Sequence, residues 1–110
     1  MIKFLNFLID NFTKLISKTK IGLFFIERVS LSSYSNVNEI KHNNVFLKFS
    51  VPNILCKYRA KNFSTKEPET LNWIDSFKEQ KVLFDIGANI GSYSLYAAKK
   101  KKSTVYAFEP

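Results

Sequence analysis

A chain of 110 residues has room for one small domain and falls short of the roughly 150 to 200 that a complete doubly wound nucleotide-binding enzyme needs. Apolar residues make up 45% of it and eleven are Phe, enough for a buried core, which argues against an intrinsically disordered chain. Seventeen Lys and Arg against nine Asp and Glu give a formal charge of +8, which attracts anionic partners without choosing among nucleic acid, lipid and an acidic substrate, while a lone Cys56 and a lone His42 exclude a disulfide framework and a Cys/His zinc site within the chain.

From Ile2 to Ile16 the apolar residues Ile2, Leu5, Leu8, Ile9, Phe12, Leu15 and Ile16 recur at helical spacing, with Lys3, Asn6, Asp10, Lys14 and Ser17 on the other side. This predicts an amphipathic helix, and the apolar patch Ile21 to Ile26 extends the pattern to about Val29. Asp10 and Lys14 interrupt the apolar run, which counts against both a secretory signal and a membrane-spanning helix. Lysines opposite a Phe/Leu/Ile stripe let such an arm lie on an anionic membrane surface. The commoner origin of the pattern is a helix packed on the rest of its own protein, and that is the preferred expectation.

Ser30 to Asn44 is rich in Ser and Asn and reads as a loop, with His42 a loop residue. Val45, Leu47, Phe49 and Val51 alternate as one face of a strand, and after the turn signal Pro52-Asn53 the run Ile54 to Ala60 reads as a second strand, so a β-hairpin is expected. Cys56 then falls in an apolar strand as a small buried hydrophobe. Ser64 and Glu67 have the spacing of a capping box, and Pro68 suits the first turn of a helix whose buried side is Leu71, Trp73, Ile74 and Phe77, ending near Lys78 to Gln80.

Val82 to Phe84 reads as a buried strand, Asp85 to Gly91 as a glycine-containing turn, Ser92 to Lys100 as a helix and Val105 to Phe108 as a second strand that runs into Glu109-Pro110. That order predicts a β-α-β unit. The lysine run Lys99 to Lys102 then sits at a helix end, where it complements the dipole, so no nucleic-acid partner is expected.

A strand entering a turn with Gly87 and Gly91 that opens a helix is a nucleotide-site candidate, because glycine reaches backbone conformations that other residues avoid. A little over 20 residues on, Glu109 stands where a carboxylate can accept hydrogen bonds from both hydroxyls of a ribose. The dinucleotide fingerprint fits poorly, since Asn89 and Ser92 occupy its second and third glycine positions, and no Gly-Lys-Ser/Thr follows to make a P-loop. A ligand without a pyrophosphate escapes that objection, and the ammonium and carboxylate of S-adenosyl-L-methionine suit Asp85 and the backbone around Gly87.

At these residues the chain resembles the FkbM-like methyltransferases. The resemblance is carried by Lys66 to Thr70 with Trp73-Ile74, by Phe84 to Gly91 with Tyr93-Ser94, and by Ala107 to Pro110, and it covers the chain from Tyr58 onward. It implies a Rossmann-like fold that binds S-adenosyl-L-methionine and transfers its methyl group to an oxygen of a sugar or natural-product acceptor. Asp85, Gly87, Asn89 and Gly91 match the family's methionine-side loop, with Ala88 counted in the same cofactor-binding set, and Glu109 matches its ribose ligand. Glu67 and Glu69 match a family motif as well, although the capping-box spacing already accounts for Glu67.

The expected fold is therefore α/β: the start of a truncated Rossmann-like class I methyltransferase sheet, preceded by an amphipathic helix and a β-hairpin. Residues 1–29 form the arm, 30–80 the hairpin and capped helix, and 81–110 the first β-α-β unit. Adenine contacts, acceptor pocket and catalytic base are expected beyond Pro110, so the chain alone is expected to be inactive. The partner is a small-molecule or glycan acceptor, no metal is expected, and the location is cytoplasmic with peripheral membrane contact through residues 1–29 left open. Two rivals stand beside this reading: a non-catalytic fragment that binds a membrane surface or partner through its basic arm, and a dinucleotide-binding module with affinity for NAD.

Overall fold

The computed structural model describes all 110 residues, which divide between Ser35 and Asn36 into two compact units. In the first unit, α1 spans Ile2–Ile16, as the periodicity predicts. The pattern does not continue as one helix to Val29. It breaks at Ser17 and restarts as α2, Lys20–Tyr34, with Thr19 as N-cap accepting the Gly22 N–H at 3.0 Å. Gly22 is the buried residue of α2, and a Cβ there would lie 1.9 Å from the Ile16 carbonyl oxygen, so only glycine lets the second helix start this close to the first. The helix runs on through the serines expected to form a loop. Ser33 and Ser35 satisfy their hydroxyls locally, donating to the Ser30 and Ser32 carbonyls at 2.6 and 2.7 Å, so a serine run does not by itself end a helix.

The second unit opens with a hairpin displaced from the expected one. Strands β1, Val37–His42, and β2, Val45–Ser50, pair antiparallel with His42 opposite Val45. The two-residue turn between them is Asn43-Asn44, with φ of 44° and 65°. Both central residues of a tight hairpin turn of the type that matches strand twist need positive φ, which Asn tolerates better than most side chains. Val45, Leu47, Phe49 and Val51 are buried, as their alternation predicts. His42 is no loop residue: it ends β1, its Nδ1 shares a 2.9 Å hydrogen bond with Ser64 Oγ, and its ring meets Phe63 and Tyr96 edge-on.

The expected second strand is a helix, α3, Ile54–Lys61. Asn53, read as half of a turn signal, is its N-cap and accepts the Cys56 N–H at 2.9 Å. Cys56 is accordingly half-buried on a helix. Ser64 lies inside the short α4, Phe63–Lys66, so there is no capping box; Glu67 is the N-cap of α5, Pro68–Asp75, without a side-chain capping bond, and Pro68 opens that helix as expected. α5 stops at Asp75, earlier than the apolar pattern suggested, and Phe77 packs back on Trp73 edge-on from the following turn.

Strand β3, Val82–Ile86, helix α6, Ser92–Lys101, and strand β4, Thr104–Phe108, form the expected β-α-β unit, paired in parallel from Val82 opposite Thr104 to Ile86 opposite Phe108. α6 is the hub of this unit. It contacts α5, β2, β3 and β4, and its Tyr96 and Ala97 are fully buried with Phe63, Leu71 and Ile74. Its lysine end does more than complement the dipole, since Lys99 and Lys100 donate to the Phe46 and Asn43 carbonyls at 2.6 and 3.1 Å and tie the helix to the hairpin. The architecture is mixed α/β with two separate two-stranded sheets. No helix is long and apolar enough to cross a membrane.

Candidate functional site

The site is built where β3 gives way to α6. Gly87, Asn89 and Gly91 all adopt positive φ, at 79°, 54° and 71°, so the loop reverses direction within five residues. A Cβ at Gly87 or Gly91 would meet nothing within 4 Å. Glycine is therefore needed there for its backbone angle, and the side a Cβ would occupy opens to space.

The second strand clasps this loop. The Phe108 carbonyl accepts both the Gly87 and Ala88 N–H groups, at 2.8 and 3.0 Å, and Glu109 Oε2 accepts the Asn89 N–H at 2.7 Å. Parallel pairing thus brings Glu109 onto the loop across the separation read from the sequence. It also commits the amides of Gly87, Ala88 and Asn89 within the fold, so they are not the donors for a ligand carboxylate that the backbone around Gly87 was expected to supply. Asp85, half-buried near the end of β3, accepts the hydroxyl of the buried Ser94 at 2.5 Å, which holds the carboxylate at the first turn of α6.

Beside the loop lies a cleft of about 370 Å³, within the size range of small-molecule sites. Asp85, Gly87, Ala88 and Asn89 line it, whereas Gly91 and Glu109 form none of its walls. The opposite walls come from elements that local spacing did not connect to the loop. Arg59 of α3, Lys66 of α4, and Glu67 at the head of α5 all reach the cleft, together with Tyr93 of α6. Lys66 and Glu67 form an exposed ion pair at 3.4 Å. The only sequence signal for Glu67 as a site residue was the family motif, and for Arg59 there was none.

Burial, with the Glu67 carboxylate alongside, pushes the Tyr93 phenol up to about 12, so it stays a protonated donor at any physiological pH. Tyr96 is likewise pushed up to about 12, first by burial and then by Asp75, whose Oδ1 accepts its hydroxyl at 2.7 Å. No cluster of three or more His, Cys, Asp or Glu could hold a metal ion. The donor set suits a zwitterionic ligand: carboxylates at Asp85 and Glu67 for a cationic group, and Arg59 and Lys66 for an anionic one.

No protein-family model, curated protein or solved structure matches this chain.

Proposed function

We propose that this chain carries the S-adenosyl-L-methionine site of a class I, FkbM-like methyltransferase, its β-α-β unit being the start of a Rossmann-like sheet and its acceptor a hydroxyl of a small molecule or glycan. One observation supports this above the others: Glu109, arriving from β4, closes on the Asn89 amide of the glycine loop beside a cleft that offers both carboxylates and cations. Asp85 and Glu67 would hold the ammonium of the methionine end, and Arg59 its carboxylate, in place of the loop amides. Glu109 keeps lone pairs beyond the one that accepts Asn89, and would accept from the ribose hydroxyls. The bound cofactor supplies an electrophilic methyl on a sulfonium. The residues of this chain contribute position and charge. Tyr93 holds its proton too tightly to act as a general base, and Asp85 and Glu109 are engaged as ligands, so none of the three is a catalytic base.

Calorimetric titration of the chain with S-adenosylhomocysteine, with NAD as control, tests the reading. The homocysteine compound should bind and NAD should not, and Asp85→Ala or Glu109→Ala should each weaken binding by about tenfold or more, the loss typical of a charge-assisted contact. Affinity for NAD equal to or above that for S-adenosylhomocysteine, or a folded chain that binds neither, would refute it.

A further inference from the structure

The first unit carries a surface that the cofactor site does not use. At about 100° per residue, Ile2, Phe4, Leu5, Leu8, Ile9, Phe12, Leu15 and Ile16 of α1 fall on one continuous side of the helix, and Thr13, Asn6, Asp10, Lys3, Lys14 and Asn11 on the other. Phe7 is the one large apolar residue on the polar side. A stripe of this kind ordinarily faces a core, yet α1 has no buried residue, and Phe4, Phe12 and Leu15 are 66%, 61% and 64% exposed. Exposed apolar residues continue into α2 at Ile21, Phe24 and Phe25, past the corner set by Gly22.

We infer that this unit docks on an anionic lipid surface, with the α1 stripe set into the boundary between headgroups and acyl chains. Its charge is complementary: Lys3, Lys14, Lys18, Lys20 and Arg28 against Asp10 and Glu27 leave a net +3 over the unit. A second copy would bring like charge against like charge. A peptide-binding groove would take the stripe of one helix but would leave the apolar residues of the other uncovered. Spanning is excluded by length, because the 15 residues of α1 make a rod of about 22 Å against the roughly 30 Å of a hydrocarbon core.

Flotation of the full chain with vesicles tests this. Vesicles of phosphatidylcholine with about 30 mol % phosphatidylserine should carry the protein, and pure phosphatidylcholine vesicles about tenfold less. Phe12→Glu and Phe7→Glu change charge equally at exposed positions of the same helix, so neither threatens the fold. Phe12→Glu should abolish flotation and Phe7→Glu should leave most of it. Failure of the unaltered chain to float with anionic vesicles, equal loss in both variants, or a dimer in sedimentation velocity that Phe12→Glu dissolves would each overturn the proposal.

Discussion

Gly22 and Gly87 are both required, for opposite reasons. At Gly22 there is no space: an added methyl would meet the Ile16 carbonyl at 1.9 Å, and backbone cannot swing aside as a side chain can. At Gly87 an added methyl would meet nothing within 4 Å, and the constraint is a φ of 79°. Gly22→Ala should therefore pry α1 from α2 and lower the cooperativity with which the first unit melts, at a cost of about 1–3 kcal/mol from overpacking. Gly87→Ala should cost about 1–2 kcal/mol through backbone strain alone. Urea denaturation followed by far-UV circular dichroism measures both. A stabilising effect at either position would contradict its account. Gly87 was legible in the sequence because it lies in a motif, whereas Gly22 sits inside an apolar run and only the contact across the helix corner reveals it.

At the scale of elements, Tyr96 ties three together. It lies on α6, donates to Asp75 at the end of α5, and receives a 3.4 Å hydrogen bond from Asn43 of the hairpin turn, which also donates to Asp75 at 2.8 Å. With Tyr93 and Tyr96 both raised to about 12, the folded chain keeps two phenol protons that the unfolded chain releases near pH 10. The stability they represent is fully present below about pH 10 and is lost as pH rises towards 12, because the unfolded state then binds fewer protons. Urea unfolding at about pH 9 and pH 11 should show that fall, and Tyr96→Phe should reduce its slope while costing about 1–2 kcal/mol at neutral pH for the lost hydrogen bond. An unchanged slope would mean that Tyr96 titrates normally. This tie was invisible to local patterning, since its three members are scattered from Asn43 to Tyr96 and none belongs to a recognisable motif.

For the whole molecule, the proposed site is a tertiary product: Arg59, Lys66 and Glu67 reach the cleft from three helices, while Asp85 and Tyr93 come from the β-α-β unit. A ligand that bridges these walls should stabilise the entire second unit. S-adenosylhomocysteine at about 100 times its dissociation constant should add roughly 2.7 kcal/mol and raise the melting temperature by several degrees, and NAD should leave it unchanged. No shift with saturating S-adenosylhomocysteine would mean that the ligand does not span the cleft. In the same unit, Val82, Phe84, Ile86, Tyr106 and Phe108 alternate onto one face of the parallel pair and are exposed, with Phe84 stacked on Tyr106 at 5.2 Å. Parallel strands are ordinarily covered on both faces, whereas this face of the pair lies outside the buried core.

Where the chain encodes structure by strong local periodicity, the sequence alone was sufficient. The α1 stripe, the buried alternation of β2, Pro68 at the head of α5 and the order of the β-α-β unit are all present in spacing, because each element must put its apolar side on one face. Short runs were not decidable in this way. Ile54 to Ala60 is equally compatible with strand and helix over so few residues, and the outcome turned on whether Asn53 capped a helix or completed a turn. β1 has weak alternation of its own and became a strand because β2 offered it a partner across Asn43-Asn44. The meeting of Glu109 with Asn89, and the gathering of Arg59, Glu67 and Asp85 around one cleft, were decided only by tertiary structure, since the placing of residues distant in the chain depends on how whole elements pack.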